Sequence, residues 1–191
     1  MTDHTTYKMT SLTSVSPENA EPSAREIMEK TKSGIGMIPN MYATMANLPA
    51  MLATYTFGYD QFRKESGFSS AEQEVVFLSI SRENRCGYCM AAHSMLADNV
   101  SGVPEEVTNA LREGDRLPDG KLEALADFTR QMVLTRGRPT AADVDRFTRA
   151  GYREGHILSI ILAISVKTIS NYSNHVFSTQ IDDAFSGRKW T

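Results

Sequence analysis

The chain of 191 residues has only two cysteines, one tryptophan and no long apolar run. Each scarcity excludes something. The two cysteines, Cys86 and Cys89, stand three apart, so a bond between them would close almost no loop and add little stability. The stabilising disulfides of secreted domains close much longer ones. The least charged stretch, Gly155 to Val166, is ended by Lys167 well short of the ~20 apolar residues that a bilayer span requires. An excess of positive charge is also missing. Lys and Arg number 20 against 23 Asp and Glu, for a formal net charge of -3, and the two signs are interleaved. No stripe follows a nucleic-acid backbone or an anionic membrane. The first residues, Met1-Thr-Asp-His-Thr-Thr-Tyr-Lys8, lack the basic start and apolar segment of a secretion signal. The expected protein is cytoplasmic and bound to neither nucleic acid nor membrane.

What is present is helical punctuation. Residues 1–16 are rich in Thr and Ser, show no apolar period, and read as a loose N-terminal arm. Residues 17–191 read as one domain. Ser23-Ala-Arg-Glu26 has the form of a capping box, and Gly34, Gly36 and Pro39 end the helix it opens. Asn40 to Ala46 forms a short helix, and Pro49 suits the first turn of another running to about Lys64. Ser69-Ser-Ala-Glu72 caps a helix bearing Val75, Val76, Leu78 and Ile80. Further helices are expected over about 86–98, 104–113, 121–135, 140–150 and 154–177. No segment alternates with the period of a strand, so the fold class is all-α, a single helical bundle. The 154–177 helix is apolar on most sides in its first half, through Ile157, Leu158, Ile160, Ile161, Leu162 and Ile164. That pattern predicts burial all round, at the bundle centre or at a subunit interface.

The chemistry concentrates in one stretch. At ~100° per residue, Cys86, Cys89 and His93 share a narrow sector of one helix. Cys86 lies near the helix start, where free N–H groups and the positive dipole end favour a thiolate. His93, one turn past Cys89, is placed to exchange a proton with it. A dithiol with a proton carrier suits peroxide reduction, in which one sulfur becomes a sulfenic acid and its neighbour resolves it to a disulfide. Glu72 is explained by its capping box, but Glu74 has no such duty. An unbroken helix would leave Glu74 about 18 Å from Cys86. If the chain turns back at Glu83-Asn84-Arg85, Glu74 comes level with His93 and can orient it; taken alone, it reads as a solvated surface carboxylate.

Two other readings use the same residues. Cys-x2-Cys-x3-His offers three zinc ligands, but a fourth would have to be Glu74, His175 or water, and no metal is expected. The cysteines can also be small buried hydrophobes. On the last helix, Asn171 and His175 lie one turn apart and can face the pocket, and Tyr88 can line its entrance or simply pack.

Glu74, eleven intervening residues, then Cys86-x-x-Cys89-x-x-x-His93 resembles the signature of the AhpD-like branch of the carboxymuconolactone decarboxylase family. The flanks Ser-x-Ala-Glu-x-Glu and Ala91-Ala92-His93 agree with it. Gly36-Met-Ile-Pro39-Asn40, Leu48-Pro49, and Asn171-Tyr-x-Asn-His175 followed by Asp182 and Phe185 resemble its larger peroxidase-related members. The resemblance implies an all-helical fold assembled as a homo-oligomer, a trimer or hexamer, and an antioxidant thiol-dependent peroxidase or disulfide reductase. In it Cys89 attacks the hydroperoxide, Cys86 resolves, and His93 and Glu74 relay the proton. It implies no cofactor beyond the cysteine pair, and an external thiol or protein reductant. The sequence departs at Tyr88, where the family can carry a histidine between the cysteines. A lactone decarboxylase or isomerase using His93 and Glu74 as acid and base is the enzymatic alternative on the same fold. A zinc-stabilised or purely structural oligomer is the non-catalytic one.

Overall fold

The computed structural model describes residues 6–190, which contain no β-strand. The helices are α1 (Pro22–Ile35), α2 (Asn40–Met45), α3 (Pro49–Glu65), α4 (Ser70–Glu83), α5 (Gly87–Asn99), α6 (Glu105–Glu113), α7 (Gly120–Leu134), α8 (Ala141–Arg149) and α9 (Glu154–Phe177). A 3-10 turn at Pro17–Asn19 precedes α1, and a 3-10 segment, Asp183–Arg188, follows α9. The described part of the N-terminal arm is tied to the bundle, with the Met9 N–H donating to Val176 O and the Val15 N–H to Ala43 O. Residues 1–5 of that arm lie outside the described residues.

Local chemistry explains most of the boundaries. The Ser69–Glu72 capping box forms, each side chain satisfying the other residue's backbone N–H, as does the one between Thr140 and Asp143. The box expected at Ser23–Glu26 does not. Pro22, whose fixed φ suits the first helical position, starts α1 two residues earlier with Glu21 as an N-cap that makes no side-chain bond. Ser23 is thereby carried inside the helix. At the other end Gly36 takes the left-handed conformation, φ 80°, that closes α1.

The centre of the bundle is α4, not α9. Every residue from Gln73 to Ser81 is buried, and α4 packs on α5, α6, α7 and α9. Val75, Val76, Phe77, Leu78 and Ile80 each contribute ~1.5–3 kcal/mol by leaving water. The expected all-round burial of α9 is not found in the single chain. Its Ile160, Ala163 and Val166 are buried, but Leu158 is 70% exposed and Ile161 45%. The reason is placement: α9 lies along α3 and α4, and its opposite side faces outward. At Gly58 of α3 an added Cβ would meet Val166 Cγ2 at 2.9 Å, so glycine is what lets α3 and α9 approach so closely.

Candidate active site

The dithiol sits where α4 hands over to α5. After α4 the chain turns through Arg85, left-handed at φ 54°. The Arg85 N–H donates to Arg82 O and the Cys86 N–H to Ser81 O, both at 2.9 Å. These two bonds are the Schellman pattern that terminates a helix. They reverse the chain at the predicted Glu83–Arg85 turn and leave Cys86 as the N-cap of α5. Cys89 is then in the first turn of α5 and His93 one turn further on. All three are buried and both cysteines are free thiols.

Because α4 and α5 fold back on each other, Glu74 meets His93. Glu74 Oε2 lies 2.8 Å from His93 Nδ1. Its other oxygen accepts from Arg63 Nη2 at 2.5 Å and from Ser101 Oγ at 3.3 Å. Glu74 is fully buried, not a surface carboxylate. Burial opposes its charge, but His93 and Arg63 outweigh that and hold the carboxyl below its ordinary range. Burial, then the charge of Lys167, holds His93 below its ordinary value against the pull of Glu74. A neutral ring beside an ionised Glu74 donates from Nδ1–H and keeps Nε2 as its basic nitrogen. Phe77 packs on that ring with centroids 4.7 Å apart, and Tyr59, which accepts from Arg63 at 2.7 Å, lies behind it.

The two sulfurs differ. The hydrogen bond to Cys89 and burial push the Cys86 thiol up. Burial also works against a charge on Cys89, yet the Cys86 thiol and the ammonium of Lys167 outweigh it and hold Cys89 well below the ordinary thiol range. The start of α5 therefore does not make Cys86 the thiolate. The nearby positive charge and the donated thiol select Cys89.

The second wall of the site comes from α9, through residues that reading the sequence passes over. Asn174 Nδ2 donates to Cys89 Sγ at 3.4 Å and to Cys86 Sγ at 3.7 Å. Ser170 Oγ is 3.9 Å from Cys89 Sγ. Lys167, Ser170 and Asn174, spaced three and four apart, form a polar stripe on the buried face of a helix whose first half is apolar. That spacing is the one sequence signal that could have revealed them.

The remaining candidates hold other positions. Asn171 accepts from Asn84 Nδ2 at 2.9 Å and braces the α4–α5 turn. His175 is only half-buried, stacks near Tyr172, and lines a shallow recess on the Cys86 side with Gly87, Asn174 and Ser178. The Tyr88 hydroxyl donates to Asp182 Oδ2 at 2.5 Å, and Asp182 in turn accepts from the Asn40 N–H at 3.1 Å. Tyr88 thus clamps the C-terminal segment onto α2 and α5, while its ring edges the main pocket. Among the described residues no group of three or more His, Cys, Asp or Glu side chains converges as metal ligands would, and His93 Nδ1 is already engaged by Glu74.

Cys89 and His93 open into a cavity of about 850 Å³. Its walls are largely aromatic and aliphatic, including Tyr42, Tyr55, Tyr59, Met37, Met95 and Phe185, with Lys30 and Asp60 as charged members. A concave, mostly apolar space with a few convergent polar groups is the usual form of a small-molecule site.

Residues 48–131 match the model of the carboxymuconolactone decarboxylase family. No curated protein matches the chain. Among solved structures, the chain is similar to the alkylhydroperoxidase AhpD core of an uncharacterized peroxidase-related protein from Ralstonia eutropha JMP134. The TM-score is 0.79 at 18% identity, covering 89% of this chain and 90% of that one. A peroxidase-related protein from Silicibacter sp. TM1040 aligns with TM-score 0.75 at 22% identity, over 94% and 98% of the two chains. The debrominase Bmp8 in complex with 2,3,4-tribromopyrrole aligns with TM-score 0.77 at 16% identity, over 94% and 96%. At these identities the likeness establishes the fold.

Proposed function

We propose that this chain, whose residues 48–131 match the model of the carboxymuconolactone decarboxylase family and whose fold is AhpD-like, is a dithiol oxidoreductase that reduces hydroperoxides at Cys89. The observation that supports this most is the pairing of a low-pKa Cys89 with a donating Cys86 thiol at the floor of a cavity that also exposes His93.

The chemistry follows from the groups present. The Cys89 sulfur attacks the terminal peroxide oxygen and the O–O bond breaks. A proton taken up from solvent through His93 Nε2 passes to the departing alkoxide, giving an alcohol and a Cys89 sulfenic acid. Glu74 keeps the ring oriented and stabilises it while it carries the proton. The Cys86 thiol then displaces water from the sulfenic acid and closes the disulfide. Two thiols of an external reductant return the pair to the dithiol and leave as their own disulfide. No bound cofactor enters these steps.

A second reading is favoured by the cavity. Its volume far exceeds what hydrogen peroxide needs, and the structural likeness to a debrominase raises reductive dehalogenation of an apolar ring by the same dithiol. Both readings consume the two thiols of one dithiol per turnover. Thiol counts before and after one equivalent of hydroperoxide, and separately of a brominated arene, test them. Loss of two thiols with hydroperoxide supports the peroxidase. Loss only with the arene supports the alternative, and no loss with either removes both.

We further propose that the chain assembles as a trimer or hexamer, using the outward side of α9 with Leu158 and Ile161. Phe57 on the adjacent α3 is also exposed, at 68%, but it lines the main cavity.

A further inference from the structure

Lys167 is fully buried, a rare state for lysine unless it is paired. Its ammonium has no hydrogen-bond partner among the described residues, and none of their ion pairs includes it. The ammonium lies 5.4 Å from the centre of the Phe77 ring. Ser170 and Asn174, on the same stripe of α9, reach the Cys89 sulfur. Lys167 does not line the large cavity, although Cys89 and His93 do. It therefore stands behind the sulfur and acts on it, not on a bound substrate.

The other charged and titratable groups around this point are accounted for. From α4, Glu74 is committed to Arg63 of α3 and to His93 of α5. Tyr55 and Tyr59 of α3 and Tyr88 of α5 are held in their neutral forms by burial first of all. The Cys86 thiol is a donor to Cys89. A buried cation without a counter-charge is costly, and among the described residues the uncommitted group near Lys167 that can carry a negative charge is the Cys89 sulfur.

We infer that Lys167 is the built-in counter-cation of the Cys89 thiolate and that it makes the reduced dithiol the favoured form of the pair. The inference rests on the reading of Cys89 as the reactive sulfur. When the disulfide forms, both sulfurs become neutral and Lys167 is left as a buried charge with nothing opposite it. Oxidation is thereby disfavoured and reduction of the disulfide favoured, so the couple is a comparatively oxidising one. In exchange with glutathione, the protein disulfide and two glutathione thiols give the Cys89 thiolate, the Cys86 thiol, one glutathione disulfide and one proton. Lys167 stabilises the product side. Such a disulfide accepts electrons readily from an ordinary thiol pool and needs no strongly reducing partner.

The test is equilibration of wild type, Lys167→Met and Lys167→Arg in glutathione redox buffers at pH 7, with the dithiol fraction read by alkylation and mass spectrometry. The rate of Cys89 alkylation against pH is recorded in parallel. Lys167→Met is expected to move the equilibrium at least tenfold toward the disulfide, about 30 mV, and to raise the pH at which Cys89 reacts. Lys167→Arg should remain close to wild type. Circular dichroism verifies the fold. If the Met variant is not recovered folded, Lys167→Gln, polar but uncharged, supplies the same comparison. An uncharged variant with wild-type equilibrium and wild-type pH dependence overturns the inference, as does an Arg variant shifted as far as Met. A wild-type Cys89 that alkylates like an ordinary thiol would instead overturn the underlying reading of Cys89.

Discussion

Glu74 Oε2 lies 2.8 Å from Nδ1 of His93, although nineteen positions separate the two residues. The contact exists because α4 and α5 are antiparallel neighbours joined at Arg85, and it converts an isolated carboxylate into the orienting half of a proton relay. Glu74→Gln keeps a hydrogen-bond acceptor for Nδ1–H but removes the charge that stabilises a protonated ring. It should remain folded and slow the reaction with hydroperoxide by ~10²–10⁴-fold, the usual contribution of a general acid–base group. Glu72→Gln is the control. Glu72 caps α4 and meets Lys121 and Tyr152 at the surface, so that change should cost about 1 kcal/mol of stability at most and leave the rate unchanged. Stopped-flow peroxide consumption by the two variants checks the pair; equal rates would reduce Glu74 to a structural role.

The two cysteines should fail in different ways. Cys89→Ser removes the sulfur that Lys167, Asn174 and Cys86 all address, and should abolish peroxide consumption. Cys86→Ser leaves that sulfur in place without its resolving partner. It should react once and stop, as a Cys89 sulfenic acid that a dimedone-type probe labels. Mass spectrometry that finds label on Cys86 in the Cys89 variant, with Cys89 inert in the other, would reverse the roles.

How far the sequence discloses this site can be judged from particular residues. Cys86, Cys89 and His93 are legible because their spacing alone places them on one helical sector. Glu74 is legible only once the Glu83–Arg85 turn is granted, since its partner lies on the next helix. The span of α9, Glu154–Phe177, follows from its apolar run and flanking breaks. The burial of α9 does not follow, because apolar side chains are equally consistent with a core and with an exposed face awaiting a partner. Lys167 is hidden for a related reason. A lysine after an apolar run reads as the point where the helix returns to solvent, and only the packing of α9 against α4 and α5 shows that it ends among sulfur and aromatic rings. The Tyr88–Asp182 contact joins residues 94 positions apart and leaves no local trace.

The buried neutral His93 should make the fold sensitive to mild acid. Its ordinary pKa of about 6.5 applies to the unfolded chain, and its folded value is lower. Between those values the unfolded chain binds a proton that the folded one does not, so stability is present above about pH 6.5 and is lost as pH falls toward the folded value. Glu74, also depressed, withdraws its contribution at lower pH, as pH falls from its unfolded value through its folded one. Melting temperatures measured from about pH 7.5 down to about pH 3 should therefore decline first in the His93 window. His93→Gln, which can still donate to Glu74, should flatten that part of the profile and keep the later decline. His156, also held low but far less buried, serves as the comparison, and His156→Gln should alter the window less. A His93→Gln profile parallel to wild type throughout would show that His93 keeps its ordinary pKa.

The outward side of α9 gives the last prediction. Leu158 and Ile161 are exposed at 70% and 45%. Scattered apolar side chains on a surface need no explanation, but Leu158 and Ile161, three apart on one exposed helix face, supply apolar area of the kind an interface buries. If copies of the chain associate through it, each protomer removes these side chains from water, at ~1.5–3 kcal/mol for each one fully buried. Leu158→Glu would place a charge in every copy of that contact, where it would lack a partner and meet its own symmetry mates. Sedimentation velocity should then show wild type as a trimer or hexamer at micromolar concentration, and the variant shifted to smaller species by one or more orders of magnitude in concentration. Because Leu158 lies three turns before Ser170 on α9 and does not line the cavity, the single-turnover reaction of Cys89 should survive the change. A wild type that stays monomeric at those concentrations would end the interface proposal and leave the dithiol chemistry untouched. A second variant, Leu158→Ala, separates the two effects at work: it loses the apolar contact without adding charge, and should weaken assembly less than the glutamate does.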